Sequence, residues 1–195
     1  RPQKITEMPE GNIELPMMHN RVKTLAQVVE VDYYMPGCPP VVDQVWKVFQ
    51  VILADKLPPK GSVIGAGEKT VCDVCPREKG KSGLRIKEFK RPHEVELDPN
   101  MCFLAQGVIC LGPVTRAGCG IPCIKGNMPC RGCYGPPEGV VDQGAKLASA
   151  IGALIDTDDP EKLKEILDTI VDPVGLSYRF GLANSILSEL KYRKK

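Results

Sequence analysis

The sequence predicts two unlike parts: an α/β fragment first, then an irregular, mainly α domain organised around cysteine sulfur. Three observations carry this. The β-branched and aromatic run "VVEVDYY" (28–34) passes through a proline-rich turn into a stretch with helical spacing. Eight of the nine cysteines fall between Thr70 and Pro137, in short segments broken by glycine and proline. After Val140 the chain turns to alanine- and leucine-rich helical patterns.

Residues 1–20 scatter proline and glycine through polar residues without a period, and read as a connecting arm. Residues 21–60 supply one strand, 28–34, and one helix in "PGCPPVVDQVWKVFQVILADKLP", with Pro39 or Pro40 in the first helical turn. Val45, Trp46, Val48, Phe49, Ile52 and Leu53 follow helical spacing, so the pair belongs to an α/β layer. Cys38 stands at the carboxyl end of the strand, where ligands collect in open α/β sheets, and is a candidate ligand; the plain alternative is a buried turn cysteine.

Residues 61–195 form the second domain. Between Thr70 and Pro137 no long helix or strand is expected, and the apolar residues look too few to hold the segment by burial. Sulfur ligation is expected to supply part of its folding free energy. Three helices follow: one in "VVDQGAKLASAIGALID", one capped by Asp159 with Pro160 at its first position and ended by Pro173, and one through Leu182, Ile186, Leu187 and Leu190. The middle helix carries the stripe Leu163, Ile166, Leu167, Ile170 and Val171.

Composition excludes several classes. A chain of 195 residues with 43% hydrophobic content can bury a core. A net charge of +2 and 5% aromatics give no nucleic-acid footprint, and no apolar run reaches a membrane span. An odd number of cysteines in a chain this long disfavours a disulfide scaffold and favours metal ligation in a reducing compartment. The chain opens on Arg1 rather than methionine, so an upstream segment is expected.

The eight cysteines are Cys72, Cys75, Cys102, Cys110, Cys119, Cys123, Cys130 and Cys133, with C-x2-C pairs at each end. Eight thiols divide into two sets of four, and C-x2-C turns serve zinc ribbons and iron-sulfur clusters alike. Between the pairs, the cysteines stand singly, with gaps of seven, eight and three residues, which suits a cubane approached from several sides better than one ion held by two close pairs. Two 4Fe-4S clusters are therefore favoured over two zinc sites. Gly112, Gly118, Gly120, Gly126, Gly132 and Gly135 would let N–H groups point at sulfur. Arg77, Arg116 and Arg131 lie near cysteines and either offset cluster charge or sit in solvent.

"DYYMPGCPP", "CDVCPREK", "CFLAQGVICLGPVTRAGC" and "PCRGCYGPPEGVVDQGAK" resemble the small, electron-transferring subunit of nickel-iron hydrogenases, most closely the cytoplasmic methyl-viologen-reducing (F420-non-reducing) type, from about Arg21 onward. The resemblance implies that residues 21–60 end a flavodoxin-like domain and that an iron-sulfur domain follows. It makes Cys38 the last of four ligands to a proximal 4Fe-4S cluster whose other ligands lie outside this sequence. Cys72, Cys75, Cys102 and Cys110 would hold a distal 4Fe-4S cluster, and Cys119, Cys123, Cys130 and Cys133 a medial one. Periplasmic relatives have histidine in place of Cys72 and proline in place of Cys123, so this chain departs from them toward all-cysteine ligation. His19 and His93 match no ligand position and read as surface residues.

The resemblance further implies a non-catalytic electron-relay role in a cytoplasmic oxidoreductase acting on hydrogen. Its partners would be a large subunit with a nickel-iron centre and an iron-sulfur or flavin electron-transfer subunit. Another oxidoreductase using the same kind of small subunit, or a zinc-stabilised interaction module, are the alternatives. The segment after Cys75 concentrates positive charge in Arg77, Lys79, Lys81, Arg85 and Lys87, and reads either as a partner-docking surface beside the distal cluster or as a solvated loop.

Overall fold

A computed structural model describes residues 5–14, 21–80 and 83–190. The expected arm carries more structure than its composition indicates: β1 (Ile5–Met8) and β2 (Gly11–Glu14) form an antiparallel hairpin with Met8 opposite Gly11, whose φ of 124° suits only glycine at the turn.

The α/β expectation for the next part survives in altered form. The strand shrinks to β3 (Tyr33–Tyr34): a single 3-10 turn, Leu25–Gln27, with Thr24 N–H donating to Gln27 Oε1 at 2.9 Å, draws the Val28 and Val29 N–H groups onto Leu25 O, each 2.9 Å. Val28 and Val29 are exposed rather than paired. β3 pairs in parallel with β4 (Ser62–Val63), just beyond the expected boundary at residue 60, and α1 (Val42–Leu53) connects them. This β-α-β crossover is the connection that parallel strands require. Neither Pro39 nor Pro40 enters the helix, whose N-cap is Val41, and the Cys38–Pro39 peptide is cis. The apolar face of α1 is uncovered: Trp46 is 62% and Phe49 54% exposed, while the residue it buries is Gln44.

Among the described residues of 70–137 the helical elements are single 3-10 turns and the four-residue α2 (Pro122–Lys125), with no long helix or strand, as expected. The expectation that they bury too little is wrong. Val71, Ile86, Phe89, Phe103, Leu104, Val108, Leu111, Val114 and Ile124 are the body of the hydrophobic core. Their alternation is irregular because they come from several short turns, stitched by isolated pairings such as Val71 N–H to Thr115 O (2.8 Å) and Ile86 N–H to Leu154 O (2.9 Å). α3 (Gln143–Gly152) closes the core with Leu147 and Ile151.

α4 (Pro160–Asp168) starts as expected, with Asp159 Oδ1 accepting from Glu161 N–H at 3.0 Å. It stops before Pro173. Thr169 donates its hydroxyl to Ile166 O (2.6 Å) and accepts Phe89 N–H (2.9 Å), ending the helix by docking it on the core. Within its stripe Ile166 and Ile170 pack on the core, whereas Leu163, Leu167 and Val171 are exposed. Pro173 instead opens α5 (Pro173–Ser177). The expected last helix is broken at Ser185 into a turn, Leu182–Asn184, and α6 (Ile186–Leu190). Among the described residues no helix is long and apolar enough to cross a membrane.

Candidate metal centre

Cys72 opens a single turn that Cys75 closes, Cys75 N–H donating to Cys72 O. Asp73 braces it by accepting the Thr70 N–H and hydroxyl, both at 2.8 Å. Three residues past Cys75, Glu78 pairs its backbone with the chain around Cys102: Glu78 N–H donates to Asn100 O and Cys102 N–H to Glu78 O, each 2.8 Å. That pairing brings Cys102 to the C-x2-C turn. Burial pushes the Cys72 thiol above its ordinary range; Lys79, which hydrogen-bonds it, opposes this, while the nearby Cys102 and Cys75 thiols reinforce it. Cys110 lies deeper. Burial pushes its thiol up to about 12, against N–H groups of Gly112 and Cys130, with Cys130 and Cys102 adding to the rise.

The second group forms around the loop after α2. Pro122 starts that turn and places Cys123 at the surface. Burial raises the Cys130 thiol against the Gly132 N–H and the Thr115 hydroxyl, and Cys133 and Cys119 act in the same direction as burial. Cys133 is raised by burial, then by Cys119, Cys123 and, last, Cys38. Cys119, Cys123, Cys130 and Cys133 are thus neighbours, and Cys38 approaches from the α/β side. Gln143 pins the loop, its Nε2 donating to Val114 O (3.1 Å), Thr115 Oγ1 (3.0 Å) and Gly132 O (3.3 Å). Tyr134 ties it to the entry of α1, donating to Gln44 Oε1 at 2.6 Å and accepting Val41 N–H at 3.4 Å.

The two groups abut, Cys130 N–H donating to Cys110 Sγ at 3.3 Å. Among the described residues no three His, Cys, Asp or Glu side chains come close enough to hold a single metal ion, so the groups are looser than a tetrathiolate site for one ion. Their donors are all sulfur, with Cys110 and Cys130 buried and Cys110 Sγ accepting a backbone N–H, a setting that fits an anionic iron-sulfur cubane.

Of the six glycines expected to serve sulfur, Gly112 and Gly132 do. The N–H groups of Gly126 and Gly135 go to carbonyls of Pro122 and Gly132. The basic residues separate. Arg77 is 7% exposed and is no docking residue. Lys79, Arg85 and Lys87 are exposed, Lys79 acting on Cys72 and Arg85 standing 3.8 Å from Asp156. Lys81 and His19 lie outside the described residues, and His93 is exposed. Arg116 donates Nε to Pro136 O at 2.8 Å. Arg131 is half-buried, and burial, then Arg179, lowers its pKa against the pull of Cys110 and Cys123. Sequence reasoning missed Gln143, Tyr134 and Gln44, whose roles depend on partners remote in the chain.

No protein-family model matches the chain. It is 40% identical, over 98% of its length, to the iron-sulfur subunit of the F420-non-reducing hydrogenase of Archaeoglobus profundus, and 40% identical over 93% to a subunit of the F420-non-reducing hydrogenase of Methanothermobacter marburgensis. It spans 60% and 58% of those two proteins. Over 59% of its own length it is 43% identical to a subunit of the F420-non-reducing hydrogenase of Methanothermus fervidus, covering 93% of that protein. With identity at this level across both cysteine groups, the chain belongs to the family of F420-non-reducing hydrogenase iron-sulfur subunits.

Proposed function

We propose that the chain is the electron-relay part of a nickel-iron hydrogenase small subunit. It holds two 4Fe-4S clusters, a distal one on Cys72, Cys75, Cys102 and Cys110 and a medial one on Cys119, Cys123, Cys130 and Cys133. Cys38 contributes one ligand to a third, proximal cluster. The observation that carries the reading is the meeting of two cysteine groups across the Cys130 N–H to Cys110 Sγ bond within one core, with Cys38 next in line beyond Cys133. The cluster, when bound, supplies a one-electron carrier.

The chain's own residues prepare the ligands. Burial raises the Cys72, Cys110, Cys130 and Cys133 thiols, and since ligation requires thiolates it releases protons, after which the N–H groups of Gly112, Gly132 and Cys130 face anionic sulfur. Lys79 does the same for Cys72.

In this reading residues 21–60 close a flavodoxin-like domain, a role supported by the parallel β-α-β unit and the uncovered apolar face of α1. The partners are a large subunit with the nickel-iron centre and an iron-sulfur or flavin subunit, in the cytoplasm. The exposed charges of Arg85 and Lys87 meet the latter, with Lys81 assigned from sequence alone. Iron and acid-labile sulfide in anaerobically purified protein test the proposal. About eight of each per chain, as two cubanes require, is the expected result. Two zinc ions without sulfide would overturn it.

A further inference from the structure

Arg77 follows Cys75 by two positions and is almost wholly enclosed. Its Nη1 donates to Asp98 O and Met101 O, each 2.9 Å, and its Nη2 to Asn127 Oδ1 at 2.6 Å and Ile124 O at 3.3 Å. The guanidinium stacks on Phe103, 3.9 Å from the ring centroid, and Nε is buried without a partner. Every acceptor is neutral: among the described residues no carboxylate lies within ion-pair distance. A buried cation left with carbonyls and a ring is costly unless an anion nearby compensates it.

The positions of those acceptors indicate where that anion lies. Met101 precedes Cys102, and Ile124 follows Cys123, so one side chain grips the backbone beside a ligand of each group. We propose that Arg77 is a positioning residue set between the two clusters, its charge balanced by theirs, holding both groups in register and raising their reduction potentials. This rests on the cluster assignment above. Reduction adds negative charge, which a fixed, desolvated cation favours and solvent screens poorly. The guanidinium fork is needed for the grip, since lysine cannot reach four acceptors in fixed directions.

Redox titration followed by electron paramagnetic resonance, on the full-length chain purified anaerobically, tests this. Arg77→Met is expected to move both midpoints to more negative potential. Asn127→Asp, which sets a carboxylate against the guanidinium without changing shape, is expected to shift them the same way and decides the matter if Arg77→Met fails to assemble. Arg77→Lys keeps the charge and should hold wild-type midpoints while losing thermal stability. Wild-type midpoints in Asn127→Asp at full iron and sulfide content would overturn the inference, as would an Arg77→Lys shift as large as that of Arg77→Met. Wild-type protein lacking iron and sulfide would instead defeat the cluster assignment.

Discussion

Asp142 joins three parts of the C-terminal region through one carboxylate. Its Oδ1 accepts Ala145 N–H at 2.8 Å, capping α3, and its Oδ2 accepts Ile186 N–H at 2.9 Å, holding α6. Burial alone would raise its pKa, but these N–H groups, the Tyr178 hydroxyl and Gly144 N–H outweigh it and hold the pKa below the ordinary value. Tyr178 is pushed up to about 12, by burial first and by Asp142 second. The contribution of Asp142 is therefore full above the unfolded carboxylate pKa of about 3.9 and lost as pH falls through the lower folded value. That of Tyr178 is full below about 10 and lost as pH climbs toward 12. Asp142→Asn should flatten both edges of a thermal-unfolding profile against pH; an unchanged profile would show that the contact does not bear on folding. Cys130→Ala tests the neighbouring cysteines differently. Under the proposed assignment it removes a medial ligand yet keeps the backbone N–H that donates to Cys110, so the medial resonance signal should vanish and the distal one persist. The turn joining Cys72 and Cys75 was legible because C-x2-C spacing is local. The burial of Arg77 was not, because its acceptors at residues 98, 101, 124 and 127 come from separate turns.

For α4 the start was legible and the end was not, whereas α1 begins at Val42, beyond the expected Pro39 or Pro40. Asp159 and Pro160 announce α4 by adjacent chemistry, and Asp159→Ala should cost about 1 kcal/mol, measured by denaturant unfolding. The end depends on Thr169 meeting Phe89, eighty positions earlier in the chain, and no local signal encodes it. The same holds for the core between Thr70 and Pro137, where apolar residues lack a period because they are drawn from several short turns. α3 is where those turns are closed over. Leu147 is 1% exposed, and Leu147→Ala should destabilise by roughly 2–5 kcal/mol through the cavity it leaves. A loss below about 1 kcal/mol would mean that α3 does not close this core. The strand expected at 28–34 failed because β-branched composition reports fitness for a half-buried pleated surface, and Val28 and Val29 have no such surface here.

Across the whole molecule, opposite charges nearly cancel, so any steering of a partner must come from their distribution. The basic segment after Cys75 is less uniform than its sequence indicates. Arg77 is inside and Lys90 pairs with Glu88, while Lys79, Arg85 and Lys87 are exposed, Lys79 standing near Cys72. Lys81 adds a charge by sequence, between Lys79 and Arg85. If this region receives an acidic iron-sulfur or flavin subunit, its charges act on the rate of encounter, and salt screens them beyond a Debye length of roughly 8 Å at physiological ionic strength. Changing Lys81, Arg85 and Lys87 together to glutamine should slow reduction of the natural partner at low salt. The rates should converge with wild type as salt rises, since screening removes the advantage from both proteins. Reduction of a small uncharged dye, which needs no docking surface, should not change. The variant spares Lys79, so Cys72 keeps its neighbour and a loss cannot be traced to that thiol. Equal rates at every salt concentration would assign these residues to solvent and leave the cysteine assignment as it stands.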